Sequence, residues 1–103
     1  PCIYRRAALH KVGWDSEQYG SDICRGEVDV EGPGQAANDL RACLSFLRSK
    51  PTNADIQTLL LCSGSLPISS LPAHADTVLR AMNEIRTLLS DKATTTIRGL
   101  AGL

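Results

Sequence analysis

The chain has 103 residues, enough for one domain whose single hydrophobic core needs neither a metal nor a disulfide to close it. Eleven Lys and Arg balance eleven Asp and Glu, and the aromatic residues are only Tyr4, Trp14, Tyr19 and Phe46. That composition excludes nucleic acid as the expected partner, since it supplies neither a concentrated positive field nor a stacking platform for bases. No uninterrupted apolar run is long enough to span a bilayer.

Charge is uneven along the first third. Residues 1–14 carry Arg5, Arg6 and Lys11 and no acid, whereas residues 15–31 carry Asp15, Glu17, Asp22, Glu27, Asp29 and Glu31 against Arg25 alone. Pairing of these two segments within the fold is the expectation; the alternative is that each faces a partner of opposite sign. Cys2 to Val12 fits two states, because Arg6-Ala7-Ala8-Leu9 suits a helix and Cys2-Ile3-Tyr4 suits a strand. Asp15-Ser16-Glu17-Gln18-Tyr19-Gly20 begins like a calcium loop, but Tyr19 stands at position five and Gly26 at position twelve, so a polar surface loop is expected and no metal.

Glu27-Val28-Asp29-Val30-Glu31 alternates strictly and predicts a strand with a charged, solvated face, ended by Gly32-Pro33-Gly34. A helix follows from about Gln35 to Ser49, with Ala36, Leu40, Cys43, Leu44 and Leu47 on its inner stripe and Pro51 closing it. Thr52-Asn53-Ala54-Asp55 resembles a capping box, which makes residues 56–62 the end of a helix. The alternative is a buried strand over 56–62, giving a small α/β unit. Leucine favours the helix.

The clearest element is the helix from Leu71 to Asp91. Leu71, Ala75, Val78, Leu79, Met82, Ile85 and Leu89 recur on one face, with Ser70 as N-cap and Pro72 in the first turn. Ala81 and Leu88 form a flank with no obvious cover from the facing helix. Arg86 sits at the edge of the stripe, either snorkelling to solvent or marking the rim of a contact. Residues 93–103, rich in Thr, Gly and Ala, read as a flexible tail.

Four cysteines permit two disulfides, but no CxxC pair occurs and the histidines are only His10 and His74, so no structural zinc site is expected. Cys43 reads as a buried free thiol, and cysteine usage points to the cytoplasm, or to secretion if the cysteines pair. Candidate reactive groups are Cys62, as a thiol at a strand end with His74 or His10 as base, and Pro1, as an N-terminal secondary amine. Pro1-Cys2-Ile3-Tyr4 resembles the start of tautomerase-superfamily enzymes, which use such a proline as base, but the residues that follow lack that family's strand-then-long-helix pattern.

The sequence thus predicts a single α+β domain, mainly helical, with short N-terminal β structure and two or three packed helices. Its expected function is a non-enzymatic protein-interaction or regulatory module of a small bacterial accessory kind, without cofactor or metal. Self-association through Ala81, Leu88 and Arg86 is expected. The alternatives are a small enzyme built on Cys62 or Pro1, and a protein that binds an apolar ligand between the last helix and the Leu-rich segment.

Overall fold

The computed structural model describes residues 2–16 and 22–103. Five α-helices follow in order: α1 (Ile3–Lys11), α2 (Gln35–Ser49), α3 (Asn53–Ser63), α4 (Leu71–Lys92) and α5 (Thr95–Leu100), with one 3-10 turn at Ile68–Ser70. No strand occurs among the described residues, so the α+β expectation is overturned in favour of an all-helical fold. The ambiguous N-terminal segment is α1, and the 56–62 strand of the alternative α/β unit is the body of α3.

Local chemistry explains both corrections. The Thr52 side chain accepts from the Asp55 N–H while the Asp55 carboxylate accepts from the Thr52 N–H, which closes a complete capping box and starts α3. In the segment expected as a strand, Val28 and Val30 do face the core and Glu27, Asp29 and Glu31 face solvent. The backbone, however, finds its partners without a ladder. Asp22 and Glu27 bond reciprocally, Asp29 closes a turn onto Glu31 and Gly32, and the Arg41 guanidinium donates to the carbonyls of Val30 and Gly32. An alternating segment folded into turns, with its carbonyls held by an arginine, needs no neighbouring strand.

The long helix α4 is the axis. Its 22 residues span about 33 Å at helical rise, most of the molecule's 41 Å longest dimension. Leu71, Ala75, Met82, Ile85, Leu88 and Leu89 are buried along it. Ser70 does not cap it; the Ser70 hydroxyl bonds the Pro67 carbonyl and completes the 3-10 turn instead. Helices α1 and α3 lie closest to α4, while α2 comes closest to α5 and meets α4 through its side chains.

The core gathers Leu40, Cys43, Leu44 and Leu47 from α2, Met82, Ile85, Leu88 and Leu89 from α4, and Ile3 and Ala7 from α1. Residues 93–103, expected as a flexible tail, hold α5, which adds Ile97 to that cluster together with Ala101 just beyond it. Thr94 caps α5 by accepting from the Ile97 N–H, and its own N–H donates to the Cys24 carbonyl. The C-terminal segment and the loop after residue 22 are thereby tied together.

Candidate functional site

Two features of the molecule concentrate chemistry, and they differ in kind. The first is a buried charge cluster at the C-terminal end of α4. The Arg6 guanidinium, on α1, donates from Nε and Nη2 to both Asp15 oxygens and from Nη1 to Asp22 at 2.7 Å. Lys92 reaches the same Asp15, bonding its carboxylate at 3.1 Å and its carbonyl at 2.7 Å. The basic and acidic segments of the sequence do therefore meet inside the fold, through Arg6, Asp15 and Asp22. Burial pushes the Asp22 carboxyl up, but hydrogen bonds from Arg6 and from the Cys24 and Arg25 N–H groups outweigh it and hold the carboxyl below the usual aspartate range. For Arg6, burial disfavours the charge, and the two carboxylates more than restore it, so its pKa is raised. Every charge here is matched, which is the condition for burying it. Such a cluster fastens the structure.

The second is a groove. Its walls are the first turn of α1 (Cys2, Ile3, Tyr4), one flank of α2 (Ala36, Asp39, Ala42, Cys43, Phe46) and the middle of α4 (Val78, Ala81, Met82), with Ile23 and Val28 contributing as well. It encloses about 1240 Å³ and is open to solvent on one side. Small side chains make the space. Ala36, Ala42 and Ala81 stand where larger residues would fill it, and α2 stays far enough from α4 to leave a gap.

The groove is mainly apolar. The Tyr4 hydroxyl lies against the Cys43 thiol, and burial pushes the pKa of each group up, so both are neutral at ordinary pH. Asp39 supplies the one charge among the described lining residues. It accepts a hydrogen bond from Gln35 Nε2 at 2.6 Å and has no cationic partner among the described residues.

The residues singled out by the sequence are scattered. Ala81 lines the groove and is half-buried. Leu88 has no exposed surface and belongs to the core with Ile97 and Ala101, so it offers nothing to a partner. Arg86 turns back onto the fold: it donates to Asn83 at 2.9 Å and to the Leu47 carbonyl at 3.3 Å, which also accepts from the Lys50 N–H at the end of α2. Cys62 stands exposed in the last turn of α3, where a helix presents carbonyls, instead of at the strand end that the nucleophile reading required. His74 is exposed in the first turn of α4 and hydrogen-bonds no described residue. His10 pairs with Asp91 at 2.7 Å. Pro1, Glu17 and Tyr19, with the remainder of the calcium-like loop up to Ser21, lie outside the described residues.

Other surfaces are simpler. Cys2 and Cys62 are exposed thiols, Cys24 and Cys43 buried ones, and no disulfide joins them. Leu59, Leu61 and Ile68 are exposed on and just after α3. The groove described above is walled by α1, α2 and α4 and includes no residue of α3. No described helix is long and apolar enough to cross a membrane, and no described group of three His, Cys, Asp or Glu side chains is placed to hold a metal ion. Comparison with known proteins finds no match to a family model, to a curated sequence or to a solved structure.

The groove residues Tyr4, Asp39, Ala42 and Phe46 were not foreseen. A signal existed on α2: Ala36, Asp39, Ala42, Cys43 and Phe46 recur at three- and four-residue spacing beside the Leu40–Leu44–Leu47 stripe. A second, smaller-residue row next to a core row is what a partly covered helix writes.

Proposed function

We propose that this chain is a non-enzymatic protein-interaction module that receives an apolar helix of a partner protein in the groove between α1, α2 and α4. One observation carries the reading: three helices wall a half-open apolar trough of about 1240 Å³ that the described chain leaves unfilled. Pockets for small ligands run from roughly 300 to 1,000 Å³ and enclose most of the ligand. This one is larger and open along a side, the shape of helix-in-groove recognition, in which anchors at i, i+3, i+4 and i+7 enter an apolar cleft. A fourth helix laid there would complete a bundle around the Tyr4, Phe46 and Val78 surfaces.

A second copy of the chain is a poorer occupant. Two grooves placed face to face are both concave and leave each other empty.

The test uses a labelled 18-residue amphipathic peptide with leucines at helical spacing, titrated against the chain and against Ala42→Trp, with fluorescence anisotropy as the readout. Ala42 is exposed and lines the groove, so the indole fills the trough without entering the core. Saturable binding that Ala42→Trp abolishes is the expected result. Binding that Ala42→Trp leaves intact overturns the assignment. So does light scattering that shows a dimer dissociated by Ala42→Trp, because the groove would then serve self-association.

A further inference from the structure

Resting on the reading of the groove as a helix-binding site, we infer that the partner helix carries a lysine or arginine beside its apolar anchors, and that Asp39 and the ring of Tyr4 read that cation. The groove's charge is unbalanced. Asp39 is the only charged side chain among its described lining residues, and its hydrogen-bond partner, Gln35, is neutral. The cation closest to it along α2, Arg41, is committed to the carbonyls of Val30 and Gly32 and to Asn38, and Arg6 and Lys11 of α1 are held by Asp15 with Asp22 and by Glu84. Tyr4, on α1 and half exposed, lines the same groove as Asp39 on α2. A carboxylate and an aromatic face across an apolar trough are complementary to one kind of group, a cation on a flexible apolar stem.

The same argument separates a foreign partner from a second copy. One exposed apolar element of the chain is helical, α3, with Leu59 and Leu61 on it and Ile68 just after it. No lysine or arginine occurs between Lys50 and Arg80, so that element brings Asp39 nothing to pair with. The occupant that satisfies both the apolar walls and the carboxylate is therefore a basic amphipathic helix from another protein.

Three forms of the leucine-spaced peptide test this. They differ at a single flanking position, which holds lysine, glutamine or glutamate and is moved in turn through four successive helical faces. At the best position lysine binds tightest and glutamate weakest, with lysine favoured over glutamine by roughly threefold to tenfold. Asp39→Asn removes that preference, so that the lysine and glutamine peptides bind that variant alike, and Tyr4→Leu reduces the preference in the same direction. Raising salt from about 0.05 to 0.5 M shrinks it, as screening requires. Equal affinity of the three peptides at every position overturns the inference while sparing the groove. A lysine preference that survives Asp39→Asn does the same. Failure of all three peptides to bind, or binding indifferent to Ala42→Trp, overturns the groove reading itself.

Discussion

The two halves of α4 carry the same apolar stripe and meet opposite fates. In the C-terminal half, Ile85, Leu88 and Leu89 have no exposed surface, and the Arg6–Asp15–Asp22–Lys92 cluster fastens the ends of α1 and α4 to the intervening loop. In the N-terminal half, α3 covers one side, while Val78 and Ala81 face the groove and stay only half-buried. An amphipathic helix states how much must be buried. Which part of it is buried within the chain, and which part is left for another molecule, depends on where the neighbouring helices run out.

Substitutions can break or sharpen that contrast. The largest effect is expected from Leu88→Ala, which opens a cavity in the closed half and costs about 3–5 kcal/mol in chemical denaturation. A loss below about 1 kcal/mol would mean that Leu88 is not enclosed. Arg6→Met follows, at about 3 kcal/mol, because it strands the Asp22 carboxylate and leaves Asp15 with Lys92 alone. Its double mutant with Asp22→Asn should recover part of that loss, and additive losses would show that the pair does not act as a unit.

Acid should loosen the closed half in a defined direction. The Asp22 carboxyl titrates lower in the folded chain than in the unfolded one, so the unfolded chain takes up the proton first as pH falls. The stability this group contributes is complete above the ordinary aspartate value of about 4 and is lost as pH falls below it. Asp22→Asn should flatten that part of the stability profile measured by urea melts across the acid range. The smallest effect is expected on the outer face of the helix beside the N-terminal half of α4: Leu61→Ser on α3 should change stability by less than about 0.5 kcal/mol, since half of that side chain is already in water. A loss comparable to that of Leu88→Ala would erase the distinction between the two regions.

The helices were legible where periodicity and capping agreed. Helix α4 follows from its 3.6-residue spacing almost to the residue, and over 56–62 leucine's preference for helix pointed the right way, with the Thr52–Asp55 capping box starting α3. The alternation at Val28 and Val30 gave the right faces and the wrong element. Inward and outward orientation is local, whereas the partner of each carbonyl, here Arg41, is supplied by a helix that begins later in the chain. The groove was illegible for a related reason. Ala36, Ala42 and Ala81 look like ordinary helix formers, and only the distance between α2 and α4 turns their missing volume into a cleft. Leu88 misled in the opposite sense, because its cover comes from a segment whose composition suggested a loose tail.

The pairing of α1 with the far end of α4 also governs the order in which the fold can assemble. His10 bonds Asp91 across 81 positions of sequence, and Lys92 reaches Asp15 across 77. The contact of α3 with the start of α4, by contrast, spans about twenty, as between Asn53 and Asp76. During synthesis α3 meets its partner soon after both have emerged, but Ile3 and Ala7 wait until nearly all of α4 exists. Of the described helices, α1 is thus made first and is joined to α4 last, and through that interval its apolar face lacks that cover.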